Sequence, residues 1–208
     1  MDRTDEEQLQ QLKDWWKRNG PPLLIGAGAA IALAAGWWGY GNWQERSAQQ
    51  AAGAYAEFLQ AEHGGELEAA EERGQRVLDR HAASGYAVMT ALRLARLQVE
   101  NEAFERAAET LGWVVDHADD RPMRELARLR QARALAEIDP ERALTRLDVD
   151  VSDGFRAAYA ELRGDLLHEL GRDDEAAEAY RAALDSEGLG GQARELVRLK
   201  LQAVETEA

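Results

Sequence analysis

The residues of this chain that could act on a ligand are four histidines, several acid pairs, and a set of arginines and glutamates at helical spacing. His63, His81, His117 and His168 are scattered. None stands in an HExxH pattern or at a paired spacing that suits zinc. The first three lie near expected helix C-termini, where an imidazole interacts favourably with the helix dipole. Asp119-Asp120 and Asp173-Asp174 fall at breaks between helices and read as turn or cap residues. With no cysteine in the chain, a thiol nucleophile and a thiolate metal site are both excluded. GxSxG, GxxxxGK[ST] and an EF-hand loop are absent. Gly26 and Gly28 form a GxG only inside an apolar run, where no nucleotide loop can form. The expectation is a protein without catalytic, metal-binding or cofactor-binding residues.

What remains is binding chemistry. Arg96, Glu100, Arg133, Glu137, Asp165, His168 and Glu169 all lie on the first helices of candidate helix pairs. Registering those helices on Ala95, Ala132 and Gly164 turns all seven toward one groove. There the arginines can hold a carboxylate or the backbone carbonyls of a partner segment. A solvated face of mixed charge has the same composition.

The elements that would position these residues are helices throughout. From Gln44 onward there is no strand pattern, and Ala, Leu, Glu and Arg dominate, all of them strong helix formers. Candidate helices cover 44–62, 66–82, 85–100, 102–117, 121–138, 140–148, 155–170, 173–186 and 190–205. His63-Gly64-Gly65 ends one of them. Asp139-Pro140 places an N-cap and a helix-starting proline. Gly171 ends another, with Asp173 as the expected cap of the next.

Short helices in pairs prompt a search for repeats. In residues 162–184, LRGDLLHELGRDDEAAEAYRAAL, the residues Gly164, Gly171, Ala176, Tyr180 and Ala183 sit at tetratricopeptide offsets. The small residues mark close helix crossings, with Tyr180 filling the space beside them. Ala95 and Ala107, with Leu111, form a weaker copy upstream, and Ala132 and Ala143, with Leu147, another. The starting positions 95, 132 and 164 bracket the expected period of about 34 residues. Each pair has an apolar side that it cannot bury alone, so stacking creates the core. The fold class is therefore all-α, with an α-solenoid of tetratricopeptide type over 44–208.

Before it lies PPLLIGAGAAIALAAGWWGYGNW, residues 21–43, uncharged from Leu23 through Tyr40. At ~1.5 Å per residue this stretch spans roughly 34 Å as a helix, enough for a hydrocarbon core of ~30 Å. Trp15 and Trp16 precede the run, and Trp37, Trp38, Tyr40 and Trp43 close it, in the manner of interfacial aromatic belts. The reading is one transmembrane helix. A cleaved signal peptide is the rival, since Ala32-Leu33-Ala34 resembles a cleavage site, but the run exceeds the usual h-region and its leader is long and acidic. Gly28, Ala32 and Gly36 form a small-residue stripe that permits a second helix to approach closely.

Arg3, Lys13, Lys17 and Arg18 precede the run, while Arg46 is the one cation just after it. Residues 1–20 should therefore stay in the cytoplasm as a polar tail, its Leu9, Leu12, Trp15 and Trp16 on one side, and the C-terminal domain should be exported. In a bacterium that compartment is the periplasm. The chain carries a net charge of −14, almost all of it after residue 43. Nucleic acid is an unsuitable partner for such a surface.

A short acidic tail, the anchor WWKRNGPPLLIGAGAAIALAAGWWGYGNW and a small repeat domain containing SGYAVMTALRLAR and WVVDHADDRPMRELARLRQARALAE together resemble one family. It is the family of ancillary subunits of the bacterial SecYEG translocon, the YfgM-like proteins. The resemblance covers essentially the whole chain, although this chain is richer in arginine and acids and has few lysines. It implies a single-pass inner-membrane protein whose periplasmic domain works beside the translocon with a PpiD-like chaperone and helps newly exported proteins onward. A generic membrane-tethered repeat adaptor in envelope assembly or regulation is the alternative.

Overall fold

A computed structural model describes residues 3–207. The side chains of residues 3–9, 11, 12, 14, 21, 25, 27, 29, 32, 39–44 and 207 lie outside the described set. Among the described residues every regular element is a helix: α1 Arg3–Gly64, α2 Leu67–Arg80, α3 Gly85–Glu100, α4 Phe104–His117, α5 Arg121–Ala136, α6 Pro140–Leu147, α7 Asp153–Glu169, α8 Asp173–Asp185 and α9 Gly191–Glu207. The chain divides into two compact units, residues 1–50 and 51–208.

In the first unit the tail, the apolar run and the residues just after it belong to the single helix α1, rather than to three separate segments. Asn19 donates through its side-chain amide to the carbonyl of Trp15 at 3.0 Å. Leu24, Ile31, Leu33, Trp37 and Trp38 are all largely exposed, Trp37 and Trp38 at 84%. Among the described residues no helix is long and apolar enough to cross a membrane. The expected span of 21–43 falls partly on Pro21, Ile25, Ala27, Ala29, Ala32, Tyr40 and Trp43, whose side chains are outside the described set, as are those of Leu9 and Leu12.

The second unit is a stack of helix hairpins. Each helix from α2 to α8 packs on the next, and α5 also meets α7, the first helix of the following pair. The core is built from neighbouring clusters rather than one centre. Phe58, Ala70 and Leu94 fill the first; Leu78, Ala91, Val114 and Ala127 the second. Ala107, Ala132, Leu135, Ala143, Tyr159 and Leu166 fill the third, and Ala176, Tyr180, Ala183, Val197 and Val204 the last. Each cluster draws on consecutive helices, so no hairpin closes its apolar face without its neighbour.

Small residues set how closely the helices approach. Ala95, Ala107, Ala132, Ala143, Gly164, Ala176, Tyr180 and Ala183 are all buried. A methyl group added at Gly164 would lie 2.5 Å from the Tyr180 ring, so α7 and α8 cross at a point with no room for a side chain. Gly74 does the same for α2: its added carbon would meet Leu94 at 3.0 Å and Phe58 at 3.3 Å.

The turns repeat as well. After α7, Gly171 adopts φ +72° and the Arg172 amide donates back to the Leu167 carbonyl at 2.9 Å. After α3, Glu102 adopts φ 59° and the Ala103 amide donates to the Gln98 carbonyl at 2.8 Å. The two turns share one geometry, with a glutamate at the glycine's place in the earlier one. Asp139 caps α6 by accepting from the Arg142 amide at 3.0 Å, and Asp120 caps α5 by accepting from Met123. Asp173 is not a cap. It is the first residue of α8, after Arg172, and its carboxylate pairs instead with His168 at 2.6 Å.

Candidate binding cleft

Along α3, Leu92, Ala95, Arg96 and Val99 recur at three and four residues, so they share one face. Along α5, Arg130, Arg133, Ala134 and Glu137 do the same. The two faces meet across a cleft of about 680 Å³ whose remaining walls come from Arg93, Glu100, and Phe104 and Leu111 of α4. Its floor is apolar: Leu111 and Ala134 are buried, Leu92 and Phe104 half-buried, and Val99 exposed. Its rim is charged, with four arginines against two glutamates.

These charges are unequally satisfied. Arg93 donates through Nε and Nη2 to one oxygen of Glu62, at 2.8 and 2.6 Å. That hydrogen bond lifts the Arg93 guanidinium above its ordinary value, against the opposing effect of burial. Arg96 is taken up by Glu100 on its own helix at 2.8 Å. Arg130, Arg133 and Glu137 form no ion pair or side-chain hydrogen bond among the described residues.

Four of the seven groove residues, Arg96, Glu100, Arg133 and Glu137, thus line this one cleft. The α7 members do not join them. Asp165 accepts from the Tyr180 hydroxyl at 2.9 Å and from Lys200 of α9 at 2.8 Å. His168 turns to Asp173, and Glu169 is exposed. The reason is that α9 packs beside this end of the stack and its Lys200 draws Asp165 and Glu161 into a shared ion pair. Lys200 is pulled down by burial and up by the two carboxylates, with a net rise.

Arg130 was not singled out by sequence reasoning, although its spacing of three from Arg133 places it on the same face. Glu125 was also missed. It is buried in α5 and holds the connection between α6 and α7, accepting from the Ser152 amide at 2.9 Å, the Ser152 hydroxyl and Arg121 Nε at 2.7 Å. Arg121 reaches on to Asp150 at 3.0 Å, and the Tyr159 hydroxyl donates to the Glu125 carbonyl at 2.7 Å. Burial pushes the Glu125 carboxyl up, but the Ser152 and Arg121 hydrogen bonds outweigh it and hold the group below its ordinary value. Arg121 stands one turn before it, but nothing in the local sequence RELAR marks this residue as buried, since Ser152 and Tyr159 lie 27 and 34 residues away.

The histidines take up local roles. His63 and His117 each pair through Nδ1 with the carbonyl four residues back, at 2.6 and 2.9 Å, and His117 stacks on Trp113 at 4.1 Å. His81 follows α2 as its C-cap. Among the described residues no group of three or more acids or histidines could hold a metal ion. In the first unit, carbons added at Gly28 and Gly36 would meet nothing within 4 Å. The side chain of Ala32 lies outside the described set.

Stacked helix hairpins with close small-residue crossings, one turn geometry shared by the α3–α4 and α7–α8 hairpins and a cleft between first helices define a repeat scaffold. Residues 13–206 match the family described as tetratricopeptide repeat-like domain, and the chain belongs to that family. It is similar to three curated proteins, each named ancillary SecYEG translocon subunit. The Haemophilus influenzae protein is 27% identical over 78% of this chain and 79% of its own length. The Aggregatibacter actinomycetemcomitans protein is 25% identical over 95% and 96%, and the Escherichia coli K12 protein 26% identical over 88% and 89%. No solved structure matches the chain at a significant level.

Proposed function

We propose that this protein is a non-enzymatic accessory subunit of the SecYEG translocon, held in the inner membrane by a single helix over residues 21–43. Residues 1–20 face the cytoplasm and 44–208 the periplasm, where the repeat domain scaffolds a PpiD-like chaperone and aids the handover of exported proteins. The observation that carries this reading is the extent of the similarity. The relatives named as translocon subunits align over 78–95% of the chain, so the similarity extends well beyond a single repeat. The anchor is supported by the exposed apolar side chains from Leu23 to Trp38 in the first unit, a surface that water disfavours and lipid accepts. The orientation is supported by the cations before the run. Tethering suits the mechanism, because a site fixed beside the channel has a high effective concentration and weak contacts suffice.

The test is purification of a C-terminally tagged chain from detergent-solubilised membranes. The reading predicts an intact N-terminus and co-isolated translocon subunits. An intact membrane protein that brings down no translocon subunit would favour the generic tethered adaptor. A shortened chain in the soluble fraction would remove both.

A further inference from the structure

We infer that a second groove, between the second helices α2 and α4, takes a lysine or arginine side chain from a basic segment of a partner protein. It stands apart from the α3–α5 cleft and from the translocon reading. On α4, Phe104 and Leu111 face the cleft, while Glu109, Thr110 and Trp113 lie on the opposite side of the helix. The groove holds about 500 Å³. Each helix contributes one stripe, and each stripe passes from ionic to apolar: Glu71, Gln75 and Leu78 on α2, Arg106, Thr110 and Trp113 on α4.

The ionic end is closed on itself. Glu71 accepts from Arg106 at 2.6 Å and from the buried Gln98 side chain at 3.0 Å, and Gln98 accepts in turn from the Thr110 hydroxyl at 2.8 Å. The apolar end is lined by Leu78 and Leu94, both buried, and by the half-buried Trp113, the one tryptophan after residue 43. His117 stacks on its indole at 4.1 Å. Glu109, exposed, stands one turn before Trp113 on the same face. It forms no ion pair among the described residues, and Arg142, whose charge it raises, is taken by Glu105 at 3.0 Å. Glu72, on the α2 side, is paired only with Arg76 of its own helix at 2.7 Å, a surface pair that solvent weakens.

An aromatic ring beside carboxylates selects the occupant. A cation is drawn to an indole and to a carboxylate alike, and a long side chain lays its methylenes on apolar surface while its charged head stays with the acid. An acidic segment would meet Glu72 and Glu109 with no arginine left to receive it, since Arg106 is held by Glu71. A purely apolar one would strip water from Glu109 without replacing it. The chain carries 39 acids against 25 cations, a field that draws in a basic segment and repels an acidic one.

The experiment is fluorescence anisotropy on the full chain in micelles of an uncharged detergent, with three labelled short peptides. They are alternating Ser–Lys, the same peptide acetylated on every lysine, and alternating Ser–Glu. Acetylation keeps the stem and removes the charge. The Ser–Lys peptide should bind about tenfold or more tighter than either of the others. Any acidic surface attracts such a peptide weakly, so a matched pair of variants locates the site. Glu109→Lys and Glu187→Lys change the net charge equally, the second at an exposed residue of the α8–α9 connection. Glu109→Lys should weaken Ser–Lys binding about tenfold, and Glu187→Lys by no more than about twofold. Trp113→Leu should weaken it about three- to tenfold with Glu109 intact. Melting curves accompany each variant, and Trp113→Phe, with a smaller expected loss, replaces the leucine variant if that one does not fold. Equal binding of the acetylated or the Ser–Glu peptide, no binding of any peptide, equal effects of the two lysine substitutions, or a folded Trp113 variant with undiminished affinity would overturn the proposal.

Discussion

Replacing Gly164 by alanine sets two effects of known sign against each other. In a helix interior alanine is favoured over glycine by about 1 kcal/mol, so propensity alone predicts stabilisation. At Gly164 the added carbon would sit 2.5, 2.6 and 2.9 Å from three atoms of the Tyr180 ring. The ring cannot retreat easily, because Tyr180 is only 2% exposed and its hydroxyl is held by Asp165 at 2.9 Å. Overpacking of this kind costs about 1–3 kcal/mol, and a clash with a ring fixed at both ends belongs at the upper end. The expected net loss is about 1–2 kcal/mol. In a domain of this size that lowers the melting temperature by roughly 2–8 °C. The assay is thermal unfolding of the full chain followed by circular dichroism. Two controls isolate the cause. Gly53→Ala, at an exposed helical position with nothing within 4 Å of the added carbon, should raise the melting temperature slightly. In a Tyr180→Leu background, where the ring is gone, Gly164→Ala should become neutral or stabilising. A Gly164→Ala protein that melts above the wild type would refute the close-crossing argument.

Other expectations concern the turns, the buried carboxylate and the anchor. Glu102→Gly should stabilise the chain by up to about 1 kcal/mol in the same melting assay, because φ 59° strains a side-chain-bearing residue. Glu125→Ala should destabilise by about 2–3 kcal/mol, leaving the Ser152 amide and the Arg121 guanidinium without their acceptor. Since the folded protein holds the Glu125 carboxyl below its ordinary 4.5, its contribution is present above that pH and lost as pH falls further. Melting temperature should therefore fall more steeply below pH 4.5 in the wild type than in Glu125→Gln. Gly28→Leu with Gly36→Leu should reduce co-isolation of translocon subunits without affecting membrane insertion, read by immunoblot of the purified complex.

The helices were legible because their signals are local. Asp139-Pro140 and Gly171 act within a few residues, and α3 spans Gly85–Glu100 as its pattern indicates. The alanine and glycine spacing that identifies the repeats also reports packing, since a close crossing is a property of residue size. The cleft was only partly legible. Its α3 and α5 faces follow from helical spacing, but the behaviour of Asp165 depends on Lys200, thirty-five residues away. Glu125 and Ser152 are separated by a similar interval, and no periodic pattern records a long-range pairing of two polar side chains. Asp173 shows a smaller failure of the same kind: an acid at a helix start has the composition of a cap, yet the nearby His168 claims it.

The central claim is that the chain works beside the translocon, and site-specific photo-crosslinking in intact cells tests it most directly. Probes belong at Ala32 in the anchor and at Arg96 on the cleft rim. The account predicts crosslinks from Ala32 to translocon subunits and from Arg96 to a periplasmic chaperone. A correctly inserted protein that crosslinks to neither would contradict it.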